Sequence, residues 1–275
     1  MSHARRFLSE YSDLARTLSY QDFALLLIET ALNAPSVLRT KVLTAVDSAM
    51  SRDMIVRFCH SRLTIPVSKI DRLLAGLRDS PTFGTVREMY ARNCYLKYLH
   101  LEPPVRAVLD LGANRGMFSL LALVHLGAEI VVGVEPRSQY APIFELLLNV
   151  NECAARKAPR YRNFVGSRSS ELAKGDEFVS IPTILREQSI ERFDLVKMDI
   201  EGGEKDVFAE PEWLNNIDNL TMELHPQFAG DLSLIPAALE EHGFTYRLMD
   251  QEGSNAPITR AMFLIASRNP SYCLP

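Results

Sequence analysis

Ionisable side chains crowd into one short stretch in the second half of the chain. An apolar run that starts at residue 194 ends in three carboxylates, and a lysine, Lys197, lies within it. Side chains alternate along a strand, so Lys197 shares a face with Asp199. A buried lysine needs an anionic partner, and Glu223 of the following apolar run is the predicted one. The three carboxylates are Asp199, Glu201 and Glu204.

A histidine ends that following run, where Glu223 and His225 alternate with apolar residues. Ligands of open parallel sheets bind beyond the carboxyl ends of the strands, so these groups are expected to converge on one crevice. For a reaction in which a substrate hydroxyl attacks an electrophile in this crevice, His225 is the first candidate for the base that takes the hydroxyl proton. The alternative is structural, with His225 hydrogen-bonded to a carboxylate at a strand end. The predicted catalytic residues are Lys197, Asp199, Glu201, Glu204, Glu223 and His225.

The same acids suggest a second chemistry, the binding of a metal ion. Asp199, Glu201 and Glu204 offer the hard oxygen ligands that Mg²⁺ and Ca²⁺ prefer, and a bound ion would lower the pKa of an acceptor hydroxyl. Acids at the start of a helix also occur as ordinary partners of the helix dipole. Both interpretations stay open at this point.

A loop with two glycines, Asp110 to Gly116, follows a buried apolar run and precedes a helical one. Gly112 and Gly116 would let the backbone approach a ligand at a helix N-terminus, where free amides favour an anion. A dinucleotide site would require G-x-G-x-x-G, but Asn114 and Met117 occupy the second and third glycine positions. The loop therefore favours a ligand other than a dinucleotide.

An acid, Glu135, ends the next apolar run, where a carboxylate is well placed to accept both hydroxyls of a ribose. Together with the loop, this acid indicates a nucleoside ligand. In the alternative interpretation, Asp110 is a helix N-cap and Glu135 a solvated acid. Gly166 and Ser167 follow the third predicted strand, beside the expected adenine. The predicted cofactor-binding residues are Asp110, Gly112, Ala113, Asn114, Gly116, Glu135, Pro136, Gly166 and Ser167.

The elements that must position these residues fall into two regions. Residues 1–99 show the three- and four-residue apolar spacing of helices, including one predicted from Ser80 to Tyr98. This helical region is expected to act as a lid, to select the acceptor, or to join the subunits of a homo-oligomer. Residues 100–275 alternate short apolar runs with helical stretches, as in a parallel sheet with crossover helices.

Seven strands are predicted in the second region. Residues 250–257 join the last two and are too few for a crossover helix, so these strands should form an antiparallel hairpin. The predicted fold class is therefore α/β, with a Rossmann-like seven-stranded methyltransferase sheet that follows an N-terminal helical region. The strands are Val105–Asp110, Ile130–Glu135, Tyr161–Val165, Asp194–Asp199, Asn219–Leu224, Phe244–Met249 and Ala261–Ala266.

Composition narrows the expected partners. The 275 residues carry a formal net charge of −4, which gives no general attraction for nucleic acid or anionic lipid. The four cysteines are scattered without the C-x-x-C spacing of a zinc site, and no apolar run is long enough to span a membrane. A cytoplasmic protein with a small-molecule acceptor is expected.

The motifs resemble those of the FkbM family of methyltransferases over about residues 105–266. The resemblance implies O-methylation of a sugar or natural-product hydroxyl, with S-adenosylmethionine (SAM) as the methyl donor. It rests on Asp110 to Gly116, Val134-Glu-Pro136, Lys197-Met-Asp-Ile-Glu-Gly-Gly-Glu204 and Glu223-Leu-His-Pro226. By position, the family's cofactor motifs match Asp110, Gly112, Asn114, Gly116 and Glu135, and its signature acids match Asp199, Glu201, Glu204 and Glu223.

Two other functions compete with a SAM-dependent O-methyltransferase. A dinucleotide-dependent oxidoreductase would use a similar sheet, but Asn114 in place of glycine disfavours it. A non-catalytic nucleoside-binding scaffold would keep the fold, and the intact acids in both halves of the predicted pocket argue against it. An N-P-P-Y-like segment, usual for methylation of nucleobase amino groups, is missing after the fourth predicted strand, which favours an oxygen acceptor.

Overall fold

The computed structural model describes residues 3–77, 79–166 and 177–273, which fall into two units. The first unit comprises Met1–Cys94, Arg115–His125 and Gln139–Ala155. The second comprises Tyr95–Asn114, Leu126–Ser138 and Arg156–Pro275. The chain passes between them several times, so neither unit is one continuous segment. The role predicted for residues 1–99, as a lid, a selector of the acceptor or an interface, stays a prediction.

Helices make up most of the first unit, in agreement with the apolar spacing of its sequence. Some of them lie in the N-terminal segment, and others lie in the two later segments of this unit. The helices are α1 (His3–Thr17), α2 (Tyr20–Leu32), α3 (Ala34–Thr40), α4 (Thr44–Ala49), α5 (Val67–Leu73), α6 (Thr82–Val86), α7 (Met117–Val124) and α8 (Ala141–Val150).

A β-hairpin, which the sequence analysis did not predict, interrupts these helices. Strand β1 (Met54–Phe58) pairs antiparallel with β2 (Ser61–Ile65). Side chains alternate between buried and exposed along β1, which is the period of a strand and not of a helix. Cys59, in the tight turn, has a φ of 50°, a left-handed conformation that a continuing helix does not allow.

The helix predicted from Ser80 to Tyr98 is shorter than expected. Helix α6 begins directly after Pro81 and passes into a single π-helical turn, Arg87–Ala91. Asn93 has a φ of 49°, and this left-handed residue ends the helical stretch well before Tyr98.

A buried arginine, Arg115, organises part of the first unit. Its Nη2 donates to Asp79 Oδ1 at 2.7 Å, and the Tyr140 hydroxyl donates to Asp79 Oδ2 at 2.7 Å. Burial raises the pKa of Asp79, but the bond from Tyr140 and the charge of Arg115 outweigh it and hold that pKa below its usual value. At Gly116, with a φ of 87°, a Cβ would lie 2.1 Å from Phe144 Cδ2. Close packing inside the first unit thus explains a glycine at position 116.

Strands of the second unit form one seven-stranded mixed sheet, which confirms the predicted fold class. Five strands run parallel, and the last two strands of the chain form the predicted antiparallel hairpin at one edge. In order across the sheet, the strands are β10 (Thr245–Met249), β11 (Phe263–Ser267), β9 (Asn219–Glu223), β8 (Leu195–Met198), β3 (Ala107–Leu111), β4 (Ile130–Val134) and β5 (Arg160–Tyr161).

The third predicted strand, Tyr161–Val165, divides into two. Its first residue belongs to β5 and joins the large sheet, whereas β6 (Phe164–Val165) pairs with β7 (Phe178–Val179) in a separate parallel ladder. Residues 162–163 lie between the two ladders, so one continuous strand is wrong here. The bounds predicted for the other six strands differ from those observed by two residues at most.

The central strands of the large sheet are buried along their whole length. Every residue of β3, β4 and β8 is buried, a pattern typical of parallel strands and without the alternation of a half-exposed sheet. Among the described residues, every helix is too short or too polar to cross a lipid bilayer. The helices of the second unit are α9 (Ile181–Gln188), α10 (Glu204–Phe208), α11 (Pro226–Ala229) and α12 (Leu234–Glu241).

Candidate active site

Acidic side chains of the second unit lie at the carboxyl ends of its parallel strands. Asp110 is in β3, Glu135 directly follows β4, Asp199 directly follows β8, and Glu223 ends β9. Parallel strands end at the same edge of a sheet, which is where ligands of such sheets bind. The structure therefore brings residues from both predicted halves of the site to one edge.

Lys197 is buried in β8, and the register of the strands determines its partners. It lies level with Asp110 on one side and with Thr221 on the other. Its Nζ is 3.3 Å from Asp110 Oδ1 and 3.7 Å from Asp199 Oδ2. The lysine thus has anionic partners, but they are not the predicted one. Glu223 lies two residues beyond Thr221, whereas Asp110 is directly beside the lysine.

Tyr95 joins this edge, although the sequence motifs do not include it. Its hydroxyl donates to Asp199 Oδ2 at 2.8 Å and lies 3.5 Å from Glu223 Oε2. Its carbonyl oxygen accepts a hydrogen bond from Thr221 Oγ1 at 2.7 Å, and Lys197 Nζ lies 5.2 Å from the centre of its ring. Tyr95 precedes the sheet by several residues and is 104 positions from Asp199, so no local pattern indicates the contact.

A buried carboxylate orients His225. Glu204, in the first turn of α10, is fully buried, and its Oε1 lies 2.6 Å from His225 Nδ1. His225 directly precedes α11 and is itself only 8% exposed. Burial lowers the pKa of His225, but the bond to Glu204 and the charges of Asp199 and Glu223 outweigh it and raise that pKa above its usual value.

The other ring nitrogen of His225 faces two carboxylates. Nε2 lies 3.7 Å from Asp199 Oδ1 and 4.0 Å from Glu223 Oε1. One nitrogen or oxygen atom from each of these three residues lies within 4.8 Å of the other two. We call Asp199, Glu223 and His225 the strand-end cluster. Its groups are of the types that accept protons or bind metal ions.

The predicted metal ligands do not gather around one point. Of Asp199, Glu201 and Glu204, in the described part of the chain only Asp199 belongs to a group of side chains close enough together to hold a metal ion. Glu204 bonds to Nδ1 of His225, the ring nitrogen that points away from Asp199 and Glu223. Glu201 is exposed and has a φ of 50° in the turn before α10. The catalytic roles predicted for Glu201 and Glu204 stay predictions, at positions outside the cluster.

Backbone hydrogen bonds hold the loop after β3 against the neighbouring strand. Gly112 N and Ala113 N donate to the same carbonyl oxygen of β4, at 3.0 and 2.9 Å. Asn114 N donates to Glu135 Oε2 at 2.9 Å. A Cβ at Gly112, whose φ is 72°, would lie 1.7 Å from the Asp199 carbonyl oxygen. These three amides are used within the protein, whereas free loop amides were expected to bind an anion.

Glu135 is a preoriented hydrogen-bond acceptor. It is only 6% exposed, and its two oxygens accept hydrogen bonds from Arg137 N and Asn114 N, each at 2.9 Å. Burial raises the pKa of Glu135, and the two backbone bonds offset this only in part. Each carboxylate oxygen has a further lone pair, so the group can accept two neighbouring hydroxyls such as those of a ribose. This environment fits a ligand contact and not a solvated acid.

The remaining predicted cofactor residues follow these strands. Pro136 comes directly after Glu135, and the next α-helix, α8, begins at Ala141. Gly166 follows β6 and has a φ of 129°. Ser167 lies outside the described residues.

Solved structures resemble the chain only distantly. A ribosomal protein L11 methylase from Lactobacillus delbrueckii subsp. bulgaricus is 20% identical, over 59% of this chain and 69% of its own, with a TM-score of 0.36. A precorrin-6y C5,15-methyltransferase from Geobacter metallireducens GS-15 is 13% identical, over 70% of this chain and 92% of its own, with a TM-score of 0.40. A magnesium protoporphyrin IX methyltransferase from Synechocystis PCC 6803 with bound SAM is 13% identical, over 60% of this chain and 71% of its own, with a TM-score of 0.40.

A family model matches the part of the chain that contains the strand-end cluster. Residues 176–246 match the model of the methyltransferase FkbM domain. The match includes β8 and β9, and it begins after the loop and Glu135. No curated protein matches the chain.

Proposed function

We propose that this chain, a methyltransferase with an FkbM domain, transfers a methyl group from SAM to a hydroxyl oxygen of a small molecule such as a sugar or natural product. The family match of residues 176–246 supports methyl transfer. One observation supports oxygen as the acceptor atom: three proton-accepting side chains, one of them the oriented His225, meet at the ends of β8 and β9.

Residues at the same sheet edge fit SAM. Glu135 would hold the ribose hydroxyls, because its carboxylate is buried and two backbone amides fix its orientation. Asp110 in β3 and Gly166 after β6 are the further contacts proposed within the second unit. When bound, SAM supplies a sulfonium methyl group, whose carbon bonds to the acceptor oxygen while the S–C electron pair returns to sulfur.

The strand-end cluster would deal with the acceptor's proton. A hydroxyl must lose its proton as the new C–O bond forms, and a positioned base accelerates that step. Glu204 holds the ring of His225 so that Nε2 is directed at the cluster, where it can take this proton. The charges of Asp199 and Glu223 would stabilise the imidazolium that results.

A screen with methyl-labelled SAM tests the proposal on the 275-residue chain. Sugars, phenols and aliphatic alcohols serve as acceptors, and the amine analogue of each active compound serves as its matched control. We expect label in the hydroxyl compounds and none in the amines. Transfer confined to nitrogen or carbon, or no transfer by a protein that binds S-adenosylhomocysteine, would contradict the proposal. The second outcome would favour a nucleoside-binding scaffold.

A thermal-shift titration separates the oxidoreductase alternative. S-adenosylhomocysteine is expected to raise the melting temperature, because a ligand that binds only the folded state stabilises it. NADH is expected to have no effect, because Asn114 and Met117 replace glycines of the dinucleotide motif. Stabilisation by NADH alone would overturn the assignment.

A further inference from the structure

We propose that the strand-end cluster binds one divalent transition-metal ion, such as Mn²⁺ or Zn²⁺, through Asp199 Oδ1, Glu223 Oε1 and His225 Nε2. The inference names a cofactor for the same site, and it rests on the proposed function only for what the ion does. The binding itself is argued from the geometry of the described residues.

The bond to Glu204 sets the tautomer of His225. Because Glu204 Oε1 lies 2.6 Å from Nδ1, the neutral ring carries its proton on Nδ1 and directs the Nε2 lone pair at the cluster. The side chain is nine-tenths buried, and no hydrogen bond to Nε2 is found among the described residues. Asp199 Oδ1 and Glu223 Oε1 lie 3.7 and 4.0 Å from Nε2, which is beyond hydrogen-bond distance, and both are hydrogen-bond acceptors, as the unprotonated Nε2 is. Three electron-pair donors that face one another are stabilised by a cation between them.

The spacing of the three atoms suits a small divalent ion. Nitrogen and oxygen ligands bind such an ion at about 2.0–2.2 Å, so ligand atoms of one ion lie about 3–4 Å apart. The distances of 3.7 and 4.0 Å from Nε2 agree with this range. An imidazole ligand favours a transition metal, whereas Mg²⁺ and Ca²⁺ prefer oxygen ligands alone.

Neighbouring groups hold the three ligands in place. Metal-binding histidines usually donate their other N–H to a carboxylate, as His225 does to Glu204. Asp199 Oδ2 and Glu223 Oε2 lie 2.8 and 3.5 Å from the Tyr95 hydroxyl. Each carboxylate therefore turns one oxygen toward Tyr95 and the other toward His225, and the 2.8 Å hydrogen bond from Tyr95 fixes the orientation of Asp199.

A bound ion would act on the acceptor hydroxyl. Three protein ligands leave a coordination position for a substrate oxygen, and coordination lowers the pKa of a hydroxyl. The Nε2 atom of His225 would then hold the ion and would not be available for the proton, which would pass to water. A metal ligand and a free base are thus two different roles for His225, and an experiment can separate them.

The site can be tested by titration of the metal-free, 275-residue chain with MnCl₂, in which electron paramagnetic resonance measures the free Mn²⁺. We expect one bound ion per chain. Asp199→Asn and Glu223→Gln each remove an anionic ligand and should weaken binding at least about tenfold, and Glu204→Gln should weaken it by about 10–100-fold. Glu210→Gln is the matched control, because it neutralises an exposed acid two residues beyond the end of α10 and should leave Mn²⁺ binding unchanged.

The titration has outcomes that separate this inference from the proposed function. Thermal melts verify that each variant folds, and the wild-type titration decides the question where one does not. The metal site is overturned if the wild-type chain binds neither Mn²⁺ nor Zn²⁺. It is also overturned if Asp199→Asn and Glu223→Gln both bind Mn²⁺ with the wild-type affinity. Methyl transfer to hydroxyls that persists in EDTA in such a protein would leave the proposed function intact. Saturable Mn²⁺ binding without transfer to any hydroxyl would support the site and contradict that function.

Discussion

The two halves of the sheet edge in the second unit differ in how their polar groups are satisfied. At the ends of β3 and β4, the amides of Gly112, Ala113 and Asn114 bond to the protein itself, and both oxygens of Glu135 already accept hydrogen bonds. At the ends of β8 and β9, the strand-end cluster turns three electron-pair donors toward one another.

This difference separates recognition from chemistry. A group that is already fixed by its own backbone loses little freedom when a ligand binds, so the first half suits one constant ligand. The second half concentrates ionisable groups close to one another, which is typical of sites that move protons or hold cations. The two halves should therefore respond differently to substitution.

Replacement of His225 should slow methyl transfer without weakening cofactor binding, and it should give the largest effect. We expect His225→Gln to lower the rate of methyl transfer by about 10²–10⁴-fold, since a positioned acid or base contributes about that much. The dissociation constant for S-adenosylhomocysteine should be unchanged. His242→Gln is the matched control, because the ring of that histidine bonds to the carbonyl of Ala238 in a helix of the same unit, and the variant should keep wild-type rates. Initial rates and calorimetric titration measure both quantities, and a fully active His225→Gln would refute the role of this residue.

Replacement of Glu135 should weaken cofactor binding at the ends of β3 and β4. Glu135→Ala removes the two proposed hydrogen bonds from the ribose hydroxyls to the carboxylate. Each bond to a charged acceptor contributes about 1.5–3 kcal/mol, so affinity for S-adenosylhomocysteine should fall by about 100-fold or more. Glu191→Ala, at an exposed acid of the same unit, should bind normally. Isothermal titration calorimetry provides the measurement. Unchanged affinity in Glu135→Ala would place the nucleoside elsewhere.

The contact between the loop after β3 and the end of β8 can be tested with two glycines of nearly equal φ. Gly112 and Gly127 have φ values of 72° and 71°, but only at Gly112 would a Cβ collide, 1.7 Å from the Asp199 carbonyl oxygen. Gly127→Ala should lose about 1–3 kcal/mol of stability from backbone strain. Gly112→Ala should lose clearly more in urea unfolding. Equal losses would show that the loop can move away from Asp199.

The smallest expected effect is a dependence of cofactor affinity on pH. Because burial raises the pKa of Glu135, this group gains its proton at a higher pH than an ordinary glutamate as the solution is acidified. Affinity for S-adenosylhomocysteine should be constant near neutral pH and fall as the pH drops through that raised pKa. Glu135→Gln, which has no proton to gain, should show a flat profile over the same range. The same slope in both proteins would assign the dependence to another group.

Much of the second unit follows from the sequence, because its signals are local. Continuous apolar runs predict buried parallel strands, and the short segment before the last strand predicts the antiparallel hairpin. The hairpin of β1 and β2 was missed because each strand has only five residues, too few to distinguish two-residue alternation from helical spacing. The alternation of buried and exposed side chains along β1 becomes clear only in the structure.

The candidate site was only partly predictable, because contacts between distant segments depend on register. Strand alternation placed Lys197 and Asp199 on one face, but it could not show that Asp110, and not Glu223, lies level with the lysine. Tyr95 carries no motif, so its bond to Asp199 emerges only from the fold. The internal use of the loop amides is likewise invisible in a glycine pattern.

In the proposed reaction, a methyl group passes at this sheet edge from a bound nucleoside to a hydroxyl oxygen. The most direct test is nuclear magnetic resonance of the product formed from SAM with a ¹³C-labelled methyl group, because the carbon shift identifies the atom that received it. The predicted result is a methoxy carbon that His225→Gln does not produce. A labelled N-methyl or C-methyl product, or no product from a protein saturated with SAM and a broad set of alcohols, would contradict the claim.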